Sequence, residues 1–183
     1  MQSKQSVSVI GKQGTMKTTI LKLCLTLLFG GLLACEVRAV DPVTWEAHEL
    51  TVDGFGYYAS LDKDGIHSTA WGYGGGVTYF LTDQIGVGVD TWADAFVAPY
   101  LLDFNGVFRY PLHEFNLDNL APYGIAGFGR QWSHDPNWFF DFGAGAEFRL
   151  QQNFGVFADI RGIFPVDRDP YAFLRFGIRF TLK

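Results

Sequence analysis

The sequence predicts an all-β chain, an eight-stranded antiparallel up-and-down transmembrane β-barrel preceded by a signal peptide, and three observations carry the prediction. The closing segment alternates: Ala172, Leu174, Phe176, Ile178, Phe180 and Leu182 share one face, and Phe173, Arg175, Gly177, Arg179 and Thr181 the other. That is the period-two signature of a strand. Turn-rich punctuation divides the chain beyond residue 48 into eight such segments, none with a helical period and caps. The polar faces collect acids and arginines in equal number, as a sealed interior requires.

The first 39 residues form a targeting segment. A basic stretch from Met16-Lys17 to Lys22 precedes an apolar run, Leu23 to Ala34, and Val37-Arg38-Ala39 supplies a small-residue cleavage site before Val40. The apolar run has about 12 residues, against roughly 20 for a membrane-spanning helix. Translation starts at Met1 or Met16; the stretch before Met16 adds nothing to the signal. An alternative processing site, Leu32-Leu33-Ala34-Cys35, resembles a lipoprotein box but carries a bulky Leu33. Both cysteines, Cys24 and Cys35, fall in this segment, so a mature chain has no disulfide, thiol nucleophile or cysteine metal site. The expected organisation is a signal peptide at 1–39, a short N-terminal linker at 40–48 and a barrel at 49–183.

Cleavage after Ala39 leaves 144 residues, one domain's worth. The targeting segment holds five of the 14 basic residues and one of the 19 acidic ones, which leaves nine against 18, a net charge of −9. Such an acidic chain is a poor partner for nucleic acid. Only Lys63 and Lys183 of the nine are lysines, and arginine is the cation suited to multiply hydrogen-bonded, low-dielectric pairs.

Each strand has its own justification. The first two, 49–60 and 68–81, are Gly-rich and weakly patterned, although Asp53 falls opposite Leu50 and Val52. In 84–93, Ile85, Val87 and Val89 oppose Asp90; in 100–110, Leu102, Phe104, Phe108 and Tyr110 oppose Asp103, Asn105 and Arg109. The fifth, 120–132, is less clean, with Tyr123 and Ile125 opposing Ala126, Phe128 and Arg130. In 138–150 an apolar face from Trp138 to Phe148 opposes Asp141, Glu147 and Arg149. In 153–164, Phe154, Val156, Ala158, Ile160 and Phe164 oppose Asp159 and Arg161, and 171–182 is the closing segment. Phe139, Phe157, Ile163 and Phe173 are apolar exceptions on the charged face.

The connections alternate in character. Thr82-Asp83-Gln84 and Gln151-Gln152-Asn153 are tight and sit in an internal echo, Leu81–Val87 against Leu150–Val156. Leu61–His67, Asp94–Pro99, Ser133–Asn137 and Pro165–Pro170 are longer and mostly acidic. An even-stranded barrel places short periplasmic turns at one end and longer loops at the other. Pro111–Asn119 breaks the rule, being nine residues long at the turn end.

The charged face comprises Asp53, Asp90, Asp103, Asp141, Glu147 and Asp159 with Arg109, Arg130, Arg149, Arg161, Arg175 and Arg179, six acids and six arginines. Alternation alone also fits a lipocalin-like barrel with its apolar face inward. Two features favour lipid outside. Aromatics gather near strand ends, at Tyr58, Trp71, Tyr79, Trp92, Tyr100, Tyr110, Trp132 and Trp138, as interfacial girdles do. Glycines such as Gly72, Gly74, Gly76, Gly86, Gly88, Gly143 and Gly145 fall on the inward face, where a small barrel has little room.

The terminus adds a third feature. Arg175-x-Gly177-x-x-Phe180-x-Leu182 resembles the C-terminal β-signal by which assembly machinery recognises outer-membrane proteins, with Lys183 as a departure from the usual final aromatic. Pro122–Gly129 and Phe142–Leu150 resemble the Gly-aromatic strands of the OmpA-like and OmpX-like small outer-membrane barrels, a likeness that covers about residues 45 to 183. The resemblance implies a monomeric, porin-like barrel in the outer membrane of a Gram-negative bacterium. It also implies contact with outer-membrane lipid and lipopolysaccharide, the barrel assembly machinery and a surface partner whose identity it leaves open, and no cofactor.

No enzyme is expected. His48, His67, His113 and His134 lack metal-ligand spacing. Ser133-His134-Asp135 invites the alternative of a lipid A modifying hydrolase, but consecutive side chains point apart and make a poor relay. Three functional readings remain: a structural or surface-interaction barrel with a plugged, charge-paired lumen, a narrow pore, or a soluble periplasmic lipocalin-like barrel binding an apolar ligand.

Overall fold

A computed structural model describes residues 43–63, 66–94, 100–132 and 136–183. The expected signal peptide and its processing sites, and Ser133-His134-Asp135, lie outside the described residues.

Eight strands follow in order: β1 (Leu50–Lys63), β2 (Ile66–Phe80), β3 (Ile85–Asp94), β4 (Tyr100–Arg109), β5 (Leu120–Trp132), β6 (Asn137–Gln151), β7 (Phe154–Pro165) and β8 (Tyr171–Leu182). Each pairs antiparallel with its sequence neighbours, and β1 also pairs with β8, so the sheet closes. Closure leaves no strand edge to aggregate. The expected boundaries hold to within about three residues. The largest difference is at β1 and β2, where pairing continues through the acidic segment to Lys63 and Ile66.

Tight connections lie at the end where β1 begins, between β2 and β3 and between β6 and β7. At the β2–β3 turn the Thr82 hydroxyl accepts from the backbone N–H of Gln84 and Ile85, at 3.2 and 2.9 Å. The long connection from Tyr110 to Asn119 is itself a small folded unit. Leu112 bridges to Leu117 around a single 3-10 turn, His113–Phe115. Asn116 closes that turn with φ of 56°, a left-handed conformation that asparagine tolerates better than most residues.

Alternation holds in every strand. Phe140, Phe142 and Ile160 on the outer wall are 62, 60 and 57% exposed, whereas Asp103, Arg149 and Arg161 on the inner wall are fully buried. The barrel is thus apolar outside and charged inside, which overturns the lipocalin-like alternative. Its outer wall belongs in lipid.

The aromatics at strand ends follow this rule with one correction. Trp71, Tyr79, Tyr100, Tyr110, Trp132 and Trp138 are exposed on the outer wall, but Trp92 is buried at 3% exposure. It shares parity with Asp90, so it turns inward and packs on Phe139 and Phe173 at ring separations of 5.9 and 5.6 Å. Phe157, Ile163 and Phe173, apolar exceptions in the sequence, join the same cluster with Phe55, Tyr57 and Leu101. This aromatic layer fills the loop end of the interior.

Candidate functional site

The candidate site is the lumen, and its polar part begins beneath the aromatic layer. Inward positions at mid-barrel place Asp90 of β3, Asp103 and Asn105 of β4, Asp159 and Arg161 of β7 and Arg175 of β8 within reach of one another. The Arg175 guanidinium grips Asp159 through Nε and Nη2, at 2.9 and 2.7 Å, and reaches Asp90 through Nη1 at 2.9 Å. The Tyr123 hydroxyl donates to Asp159 at 2.7 Å. Arg161 donates to Asp90 at 2.7 Å and to Asp103 at 3.3 Å, and Asn105 Nδ2 bridges the same two acids at 3.2 and 3.0 Å. Asp141 stands 3.7 Å from Arg161 with neither carboxylate oxygen hydrogen-bonded.

A second tier lies towards the turn end. Arg179 holds Asp53 bidentately at 2.7 and 2.6 Å and donates to Glu147 at 2.6 Å. Glu147 also accepts from Arg149 Nε at 2.9 Å. Glu49 then bridges Arg149, at 3.0 and 2.8 Å, to Arg109 at 2.8 Å. Charge-assisted, bidentate bonds of this kind offset part of the desolvation cost that an isolated ion would pay in so narrow a space.

The segment before β1 covers this tier. The Trp45 ring lies against Arg149 at 3.8 Å and Arg109 at 5.0 Å, and its indole N–H donates to the Asp118 carbonyl at 2.7 Å. Arg149 Nη1 and Gln152 Nε2 both donate to the Thr44 carbonyl, at 2.9 and 2.7 Å. Lys183 Nζ meets the exposed Glu46 carboxylate at 2.7 Å, tying the last residue to the same segment.

Eleven of the twelve charged residues assigned to the lumen from sequence lie buried there. The exception is Arg130, which is a correction. It sits on the outer wall of β5 near the loop end, with its guanidinium 5.9 and 5.3 Å from the Trp132 and Trp138 rings. The inner positions of β5 belong to Ala121, Tyr123, Ile125, Gly127 and Gly129, so Arg130 has the wrong parity for the lumen. Glu49 was missed, though it shares parity with Thr51 and Asp53, because it stands at the junction with the expected linker. Trp45 was missed because nothing in a short pre-strand segment signals that it folds back. With Glu49 in and Arg130 out, seven buried acids face five buried arginines among the described residues.

β2 adds almost no charge, and its glycines supply space instead. A Cβ on Gly76 would fall on the Asp90 carboxylate, and one on Gly72 on the Tyr57 ring. Of the assembly-signal residues, Arg175 is inside, Gly177 is an inward gap against Phe55 and Phe157, and Phe180 and Leu182 face outward at 46 and 52% exposure. Among the described residues no group of three or more histidines, cysteines or carboxylates could hold a metal ion.

No family model matches the chain and no curated protein matches it in sequence. Solved structures do. The N-terminal β-barrel domain of Pseudomonas aeruginosa OprF aligns with a TM-score of 0.59 at 20% identity, over 75% of this chain and 99% of that domain. The fold is that of the small eight-stranded outer-membrane barrels. OprG, an outer-membrane protein of the same bacterium, aligns with a TM-score of 0.54 at 13% identity, over 78% of this chain and 99% of its own. Ail, the attachment invasion locus protein of Yersinia pestis, aligns at 0.52 with 15% identity, over 74% and 99%. This small outer-membrane barrel, with an apolar wall facing lipid, belongs in the bacterial outer membrane. Barrels of this fold set their short turns at the periplasmic end, which here is the end of the β2–β3 and β6–β7 turns.

Proposed function

We propose that the chain is a structural or surface-interaction barrel of the outer membrane, non-catalytic, monomeric and plugged. The observation that carries the reading is that the lumen is filled at three levels: an aromatic layer, two tiers of paired charge, and a pre-strand segment packed across the periplasmic mouth. Eight strands enclose a space that side chains can fill. Among the described residues every buried arginine is bonded to a buried carboxylate. The loops at the other end are the surface on offer to a partner outside the cell. His48 and His113 are engaged with Tyr79 and Asp118 at exposed positions, each at 2.8 Å, and do not converge on the polar lumen.

Planar-bilayer recording tests the plug. The purified barrel is expected to insert without stable conductance steps; stable open steps would establish the narrow pore in its place.

The exposed closing face supports a role for Phe180 and Leu182 in assembly as well as lipid contact. Phe180→Ala removes a ring that packs on Phe154, at 5.2 Å on the outer wall. The variant is expected to refold in detergent like the parent while less of it reaches the outer-membrane fraction of cells. Equal membrane yield would remove the assembly role.

A further inference from the structure

We propose that Arg130 and the apolar groove beside it seat a phosphorylated lipid of the outer leaflet, the guanidinium taking the headgroup phosphate and the groove an acyl chain. The proposal rests on the membrane reading given above.

Among the strand residues whose side chains are described, Arg130 is the one charged side chain on the outer wall. A cation on the lipid-facing surface of a barrel is tolerated near the interface and costly deeper in the bilayer. Arg130 lies two residues from the loop end of β5, so it reaches headgroup height. Trp132 and Trp138, both half-exposed there, hold it between their rings. Such a contact orients a guanidinium but does not neutralise it. Its Nε has no hydrogen-bond partner, and it makes no ion pair among the described residues. The donors of this planar fork match phosphate geometry.

The wall next to Arg130 supplies the second half of the ligand. Phe104 and Phe128 stack at 5.8 Å, and Phe140 and Val89 flank an apolar groove. Gly106 and Ala126 form its floor: a Cβ built on Gly106 meets nothing nearer than the Ala126 carbonyl at 3.9 Å. From Arg130 to Ala126 the strand descends about 13 Å, enough for much of an acyl chain. A protein carboxylate would satisfy the cation alone. A molecule that carries an anion and hydrocarbon together satisfies both halves, and the bilayer presents it at this height.

The test is native mass spectrometry of the detergent-purified barrel, first shown to be folded by its heat-dependent gel shift. Dimyristoylphosphatidylglycerol is titrated in and compared with dimyristoylphosphatidylcholine. Wild type is expected to prefer the anionic lipid. Arg130→Gln should weaken that binding about fivefold, Arg130→Lys should retain most of it, and Ala126→Trp, which fills the groove, should weaken it with the charge intact. Undiminished binding in Arg130→Gln or in Ala126→Trp overturns the proposal, as does equal displacement of the lipid by inorganic phosphate, which would mark a free-anion site. A barrel that shifts on gels and enters lipid vesicles while Arg130→Gln binds normally refutes this seat alone. Failure of wild type to enter vesicles refutes the membrane reading and the seat with it.

Discussion

Arg175→Ala is expected to lower the stability of the barrel by about 3–5 kcal/mol, read as a fall in the urea unfolding midpoint in detergent. Arg175 is fully buried and contacts Asp159 and Asp90 directly. Its guanidinium also lies 4.5 and 5.5 Å from the Phe55 and Phe157 rings, at the boundary with the aromatic layer. Truncation therefore does more than delete favourable contacts. Among the described residues Asp159 would keep only the Tyr123 hydroxyl and a long approach from Arg161 at 3.6 Å, at a position that is buried. Asp90 would still have Arg161 and Asn105. The double variant Arg175→Ala/Asp159→Ala should recover part of the loss, because the uncompensated carboxylate is then gone. An unchanged midpoint in the single variant would remove the charge network from the account of stability.

Gly76→Val is expected to be as damaging, by about 3 kcal/mol or more, although it adds only apolar atoms. Gly76 pairs across the sheet with both Asp53 and Asp90. Its missing side chain is the space in which the Asp90 carboxylate sits, and the Val89 carbonyl is 3.3 Å from a built Cβ. Asp90 would have to swing away, and it is the acid shared by Arg161 and Arg175. Gly106→Val is the control, since its Cβ points to open space on the outer wall and β-branched residues suit strands. It should leave the midpoint within about 0.5 kcal/mol. Equal losses in the two variants would mean that the damage at Gly76 does not come from displacing the Asp90 carboxylate in the lumen.

How far the fold could be read from sequence follows from its physics. A strand with one face in lipid and one in a charged interior alternates sharply, as β4, β6, β7 and β8 do, and those strands were legible residue by residue. β2 is faint for a visible reason: Gly72, Gly74 and Gly76 make room for rings and a carboxylate that β1 and β3 contribute. Patterning records what a residue brings, and these bring an absence. The inward aromatics read as exceptions on a charged face because alternation reports parity alone, whereas the interior changes chemistry along its axis. Trp92 carried the right parity but was placed by its nearness to a strand end. Arg130 was drawn inward by its charge against the parity of Tyr123 and Ile125. Glu49 and Trp45 act through contacts with residues about 60 to 105 positions away, which no local period can report.

The seam between the two ends of the chain has a consequence for how the barrel is completed. β1 meets β8 with Asp53 opposite Arg179, and that pair joins residues 126 positions apart by two charge-assisted bonds. A slip of one residue at this junction would turn every side chain of the closing strand to the opposite face, driving both arginines into hydrocarbon and Phe176 and Phe180 into the polar lumen. The pairing that closes the sheet is thus one whose misalignment is heavily penalised. Closure carries its own check on register: a one-residue slip separates Asp53 from Arg179, and opposite charges from the two ends of the chain meet only in the correct frame.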